Sequence, residues 1–280
     1  MGVVGTVAEL VRYPVKSMQG QPVERASLSA RGLEADRVWA VRDLETGKVA
    51  SAKQPHRWRT LLDCHASVED DLRIRLPDGR TLTPGSHDLD RELTELLGRD
   101  VRLVDANDGE LGSYDSEWPR IAGVTIEGDH EFPVAMGTEA ATFADLAALH
   151  LLTSSTMGQL RTLAPDAAIE TRRFRPNLVI DTGDEAAFLE DEWVGRTLRI
   201  GEHVEVQVTL HTPRCVMTTV EQPGTVGAGS GRALDRDLEV LRAAAENRHD
   251  LGVGTFACAG VYAEVTSDGP VALGDEVSVV

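Results

Sequence analysis

The tract Val204-Glu205-Val206-Gln207-Val208-Thr209-Leu210 puts an apolar residue at every second position, a period that fits a half-buried strand and not a helix. The same grammar recurs along the chain. Residues 3–13, 38–43, 60–68 and 72–76 read as short strands, each bounded by Gly, Pro or Asp. Glu45-Thr46-Gly47 turns the chain into 48–52, and Pro77-Asp78-Gly79 joins 72–76 to 80–83 as a hairpin. Residues 175–181, 197–200, 203–211, 255–265 and 276–280 continue the pattern. Helical spacing is confined to three places: 88–98, closing on Gly98; a segment from an N-cap at Thr153 or Ser154 to about Leu163; and 233–249. The fold class that follows is α+β, mainly β, with a few flanking helices.

A chain of 280 residues makes one large domain or two modest ones. The polar, glycine-bearing tract 105–123 is the place to divide it, giving units 1–120 and 121–280. Apolar residues at 41% and charged residues at 26% exclude wholesale disorder. Against 46 Asp and Glu stand 28 Lys and Arg, a net charge of −18 that repels phosphate backbones and anionic lipid, so neither nucleic acid nor a membrane surface is an expected partner. No leader-like segment and no run of about 20 apolar residues is present, and the three cysteines form no paired framework. The expected compartment is a reducing cytoplasm.

In so acidic a chain, local clusters of Arg and Lys are where an anionic ligand is to be sought. Arg172-Arg173-Phe174-Arg175-Pro176-Asn177 carries three guanidiniums at the mouth of a strand. Pro176 predicts an extended backbone at Arg175, and Asn177 adds a donor and an acceptor. Tyr13-Pro14-Val15-Lys16-Ser17, followed by Asp36-Arg37, offers an ammonium, a hydroxyl and backbone N–H groups to a phosphate. Read alone, the first cluster is equally a set of surface ion pairs and the second a turn with a solvated lysine. Cys215 sits in a loop after the alternating strand, beside Arg214 and near His211, where a thiolate is favoured as nucleophile or soft metal ligand. Cys64 and Cys258 lie in strand-like runs, where a thiol is usually a small inert hydrophobe. The glycine-rich stretch 224–231 lacks the G-x-G-x-x-G spacing and reads as a mobile loop. The eight histidines show no paired ligand spacing, so none is assigned to a metal.

Taken in order, YPVKS, GLEADRVW with Arg37, FADLAALHLLTSST, RFRPNLVID and RCVMTTV resemble the signature segments of the MOSC-domain family, in the branch of mitochondrial amidoxime-reducing components and bacterial YcbX-type proteins. The resemblance implies an N-terminal β-barrel-like domain over 1–120 and a MOSC β-barrel over 121–280. It implies a molybdenum cofactor, a pterin with a dithiolene and a terminal phosphate. By match of motif, Lys16, Ser17 and Arg37 would hold the phosphate; Thr153, Ser154, Arg175 and Asn177 would contact the pterin and its phosphate arm. Cys215 would be the protein ligand to molybdenum and Asp145 a catalytic acid in a proton relay, with Lys53-Gln54 near the pocket. The implied reaction reduces N-hydroxylated or N-oxide compounds with electrons from a separate ferredoxin- or flavin-type donor, since no C-x₄-C-x₂-C stretch for a fused iron–sulfur cluster follows. Arg214, Arg232, Arg236 and Arg242 are the expected docking patch for that donor. Alternatives left open are persulfide transfer through Cys215 and non-catalytic carriage of the cofactor. The chain departs from the family at Glu221-Gln222-Pro223-Gly224, in place of Asp-Pro-x-Thr-Gly, and at Thr153-Ser154-Ser155-Thr156, which lacks an acid.

Overall fold

Seven strands close on themselves in the computed structural model, which describes residues 2–86, 88–183, 185–224 and 231–280. In chain order they are β1 (Gly2–Arg12), β2 (Leu149–Thr153), β3 (Leu178–Asp181), β4 (Thr197–Ile200), β5 (Val204–Pro213), β6 (Thr255–Ser267) and β7 (Glu276–Val279). Around the barrel the order is β2, β3, β1, β7, β4, β5, β6, with β6 pairing back onto β2. An odd number of strands cannot close with antiparallel neighbours throughout. The one parallel pair is β2 with β3, and such a pair needs a long crossover. That crossover contains the helix Ser154–Leu163 and then Arg172–Asn177, so the closure rule itself carries the arginine cluster to a barrel mouth.

The alternation read at 204–210 is realised in β5, where Val204, Val206 and Val208 are fully buried among Leu10, Leu149, Ile180, Leu198 and Val261 in the barrel core. Its pairing with β6 slips three times, the last slip lying between His211 and Pro213. Bulges of this kind bend a strand at a barrel rim, and this one turns the chain toward Cys215. Gly260 in β6 has φ +81°, and a Cβ there would lie 2.5 Å from both the Leu151 carbonyl oxygen and His150 Nε2. Gly260→Ala is therefore expected to lower stability by at least about 2 kcal/mol, through left-handed strain and backbone collision together. An unchanged denaturant midpoint would show that β2 and β6 yield at that crossing.

Short sheets surround a second core in the first part of the chain. Trp39–Asp43 pairs with Val101–Asp105, and His65–Val68, Leu72–Arg75 and Thr81–Leu82 form a three-stranded meander. Leu89 and Leu93, buried on the helix Leu89–Leu97, pack against Val41, Leu61 and Ile74, and Gly98 ends the helix in the left-handed conformation as expected. The strand expected over 60–68 exists only at His65–Val68. Residues Arg59–Asp63 form a 3₁₀ turn instead, because Trp58, Leu61 and Leu62 recur at helical rather than alternating spacing and all are buried. The helix expected over 233–249 is likewise reduced to Glu239–Ala244. Leu234 exchanges backbone hydrogen bonds with Gln222, the Asp237 carboxylate caps the Glu239 N–H, and Arg248–Asp250 pairs with β6. The stretch 225–230, most of the glycine-rich segment read as a loop, lies outside the described residues.

The division at 120/121 follows the sequence and not the space. β1 forms barrel pairs with β3 and β7, and it also pairs with Gln21–Pro22 of the N-terminal part. Ser113–Trp118, inside the tract read as a boundary, is an ordered strand paired with Gly128–Pro133.

Candidate functional site

Segments far apart in sequence meet at one barrel mouth. Tyr13–Gln19 leaves β1 at Pro14 and is held by hydrogen bonds from Lys16 N–H to the Trp39 carbonyl and from Arg37 N–H to the Tyr13 carbonyl. The Asp36 carboxylate accepts the Tyr13 N–H at 2.7 Å, and the Phe143 N–H donates to the Arg37 carbonyl at 2.6 Å. Ala52 N–H donates to the Ser17 hydroxyl at 3.0 Å, which brings in Lys53. The turn after β5 supplies Cys215, and β6 supplies Tyr262. Lys16, Ser17, Arg37, Lys53, Cys215 and Tyr262 line one narrow cleft of about 70 Å³. Arg175 is shared with a larger neighbouring cleft of about 330 Å³, whose walls include Arg161, His65 and Gln19.

The cleft is cationic in a chain of net charge −18. Lys16 Nζ lies 2.5 Å and Lys53 Nζ 2.7 Å from the two oxygens of Asp145, and Lys16 also donates to the Phe143 carbonyl at 2.8 Å. Arg37 pairs with Asp36. The Arg175 guanidinium stacks 4.1 Å over the Tyr13 ring and donates through Nη1 to the Met18 carbonyl at 2.7 Å, while its Nη2 is buried with no hydrogen-bond partner. Four cations therefore face two carboxylates. Burial pushes the Lys16 ammonium down to about 8, with Lys53 adding to the effect against the pull of Asp145. Burial also brings Arg175 down to about 10. Asp145 resists burial because Lys16 and Lys53 outweigh it, and its carboxyl is held well below the usual range. Each of these shifts describes a site with positive charge in excess and too little water to solvate it.

Backbone strain gathers in the same place. Ser17 (φ 67°), Arg37 (φ 49°) and Arg175 (φ 55°) are all left-handed non-glycine residues, and all three line the cleft. Such residues cost on the order of 1–3 kcal/mol each and cluster where function over-determines the chain. Arg175 corrects the extended backbone expected before Pro176. It is the left-handed cap of the short helix Thr171–Phe174, whose last turn it closes by donating to the Thr171 carbonyl. That geometry aims the guanidinium inward.

Of the residues picked from sequence, Lys16, Ser17, Arg37, Arg175, Asp145 and Cys215 line the cleft together, with Lys53. Asn177 stands just behind it: its side-chain oxygen accepts from His150 N–H at 3.1 Å and from Arg37 at 3.4 Å, so it positions Arg37 and does not line the cleft. Thr153 and Ser154 are not among the lining residues. The Thr153 hydroxyl caps the helix Ser154–Leu163 through the Thr156 N–H and donates to buried Glu190, and the Ser154 hydroxyl donates to Asp181, so neither is free for a ligand. Asp145, expected as a catalytic acid, lies between the Lys16 and Lys53 ammonium groups, which hold its carboxyl well below the usual range.

The arginine cluster divides its labour. Arg172 is bound to Glu170 and to the carbonyls of Pro223 and Arg232. Arg173, almost wholly buried, donates to the carbonyls of Thr218, Val220 and Asp235 and so pins the turn that follows Cys215. Arg214 turns away from the thiol to the carbonyls of Ala259 and Phe174 and to His150. His211 does not reach Cys215; it lies against His249 and Asp191. Sequence reasoning missed the tyrosines. The chain has only three, and each is at the site: Tyr13 under Arg37 and Arg175, Tyr114 under Lys16 and Lys53, and Tyr262 in the wall. Their rarity in a chain with 4% aromatic residues was the available signal.

The MOSC domain family matches residues 138–278 and the MOSC N-terminal beta barrel domain family residues 4–112, so the chain belongs to the MOSC family. It is similar to mitochondrial amidoxime reducing component 2 of Homo sapiens, 29% identical over 293 aligned positions that cover 98% of this chain and 83% of the relative. Against mitochondrial amidoxime-reducing component 1 of Homo sapiens the identity is 28%, covering 98% and 82%. Among solved structures, the YUAD protein from Bacillus subtilis aligns over 99% of this chain and 93% of its own at 10% identity and a TM-score of 0.39.

Proposed function

We propose that this protein is a molybdenum-cofactor-dependent reductase of N-hydroxylated and N-oxide compounds that takes its electrons from a separate protein. The observation that carries the reading is the convergence of Lys16, Arg37, Arg175 and the Cys215 thiol on one buried cleft of a strongly acidic chain. The residues fit a cofactor with a phosphate at one end and a soft metal at the other. The unpartnered Arg175 Nη2 and the excess of cations suit a dianionic phosphate, and the Cys215 sulfur suits molybdenum. When bound, the cofactor supplies the oxygen-accepting, two-electron centre. The protein supplies the rest: Tyr13 holds Arg37 and Arg175 in place, Asp145 keeps two lysines protonated and close, and Arg173 fixes the Cys215 turn. Burial pushes the Tyr262 phenol up, so it keeps its proton and presents a donor to the cleft. The net reaction, R–NH–OH + 2 H⁺ + 2 e⁻ → R–NH₂ + H₂O, needs two electrons that the chain does not hold. A donor protein fits the relatives' description as components. A reducing compartment, which we place in the cytoplasm, fits the three free cysteines.

Protein made in a cofactor-competent host tests this. One molybdenum per chain with turnover of an amidoxime or hydroxylamine is the expected result. A persulfide on Cys215 without metal would replace the reading with sulfur transfer, and bound cofactor without turnover would replace it with carriage.

Two further outcomes are expected. Anion binding raises the Lys16 pKa, so the gain from its charge is full below about 8 and is lost as pH climbs through the bound-state value. Affinity for sulfate, a dianion throughout this range, should be flat from pH 6 to 7 and fall by up to about tenfold per unit above 8, with Lys16→Arg removing the slope. A flat profile in the unmodified protein would detach Lys16 from the ligand. For the donor, Arg214 is buried and cannot dock anything, and Arg242 is paired with Glu239, which leaves exposed Arg232 and Arg236. Reversing both to Glu should slow turnover with an acidic donor at low salt and leave turnover with reduced viologen unchanged. Equal rates with the protein donor would move the docking face elsewhere.

A further inference from the structure

We propose that Asp191, His211 and His249 bind a divalent transition-metal ion of the zinc class, in a site separate from the cofactor cleft. The three come from elements distant in sequence: the 3₁₀ turn Leu189–Trp193, strand β5 and the strand Arg248–Asp250. One ligand atom from each lies within 4.8 Å of the others. His249 Nε2 is 3.1 Å from Asp191 Oδ2, and His211 Nε2 is 3.8 Å from Asp191 Oδ1. Ligand atoms about 2.0–2.1 Å from a tetrahedral zinc stand about 3.3 Å apart, so three atoms already within 4.8 Å of one another need only draw in around an ion.

Three features distinguish the cluster from a chance ion pair. Its rings stack almost parallel, 3.6 Å between centroids at 10°, and both Nε2 atoms lie beside the one Asp191 carboxylate. Asp191 Oδ1 is buried with no hydrogen-bond partner, an acceptor left over on the side that faces His211. Asn247 Nδ2 donates to Asp191 Oδ2 at 2.8 Å and orients the carboxylate from behind, the support that metal-ligating carboxylates carry. The side chains remain 16%, 18% and 26% exposed for Asp191, His211 and His249, so water reaches the fourth position. No other group of three such ligands occurs among the described residues.

A bound ion would tie the 189–193 turn and the 248–250 strand to β5, the strand that runs on through Pro213 to Cys215. The test is a Co²⁺ titration of the full chain followed by visible absorption, then competition by Zn²⁺. We expect one equivalent of Co²⁺ with the intense bands of a four-coordinate site, displaced by Zn²⁺ and unaltered in Cys215→Ser. Affinity should fall at least tenfold in Asp191→Asn and in His249→Gln, and Zn²⁺ should raise the thermal midpoint of the unmodified chain and not of these variants. Far-UV circular dichroism separates lost ligation from lost fold. If a variant is unfolded, the Zn²⁺-dependent rise in midpoint of the unmodified chain decides. No stoichiometric Co²⁺ binding, no Zn²⁺-dependent rise, or binding that persists in both variants and vanishes in Cys215→Ser would each overturn the site.

Discussion

Cys215→Ser is expected to abolish N-hydroxy reduction, by more than about 100-fold, while the barrel and most of the cofactor binding survive. Serine is nearly isosteric, and the turn is held from outside by Arg173, so the fold has no reason to change. A hydroxyl is a poor ligand for a soft metal, and the loss should exceed the 10–100-fold typical of residues that only support a ligand. The other thiols are internal controls. Burial pushes both Cys64 and Cys258 up to about 12, which leaves them protonated and inert, so Cys64→Ser and Cys258→Ser should keep full activity at a stability cost of about 1 kcal/mol. Turnover of the amidoxime at the unmodified rate by Cys215→Ser, with molybdenum content verified, would end the ligand assignment.

Arg175→Ala and Lys16→Ala should each strip the protein of cofactor. A hydrogen bond to a charged group is worth about 1.5–3 kcal/mol, which at room temperature is about 10- to 150-fold in affinity. Arg175 stands at the higher end because its Nη2 has nothing else to bind and its ring partner Tyr13 also faces Arg37. The two face the same phosphate and both feel the Arg37 charge, so their effects should not add. Arg175→Lys is the informative companion: it restores charge without the planar stack and should recover part of the occupancy only. Molybdenum and pterin contents equal to the unmodified protein after dilution, in both alanine variants, would make these residues ordinary buried charges.

Period-two strands such as β5 were legible because alternation is a local signal that the barrel then uses unchanged. The site was legible where its residues run against the composition, as Lys16, Arg37 and Arg175 do in an acidic chain. What could not be read is what depends on closure. The conformation of Arg175 follows from the helix turn it caps, the engagement of Thr153 follows from Glu190 reaching it from a distant 3₁₀ turn, and Lys53 acquires its role only when Asp145 arrives from the far side of the chain. His211 and His249 defeat spacing rules for the same reason. They are neighbours only because β5 and Arg248–Asp250 both pair with β6.

The adjacency of β1 and β7 has a kinetic consequence. Gly2 pairs with Val279 and Thr6 with Glu276, so the ring is sealed by a contact of the longest range in the chain. Loop-closure entropy grows only slowly with length, but contacts of high order slow folding. The β1 edge stays unpaired on that side until β7 has been made and has folded back onto it. The Tyr13–Ser17 segment hangs from the end of β1, so the anion cradle takes shape last. The cradle is complete only once β7 has paired with β1, and removal of residues 276–280 should yield an open sheet that neither binds an anion at that mouth nor resists proteolysis.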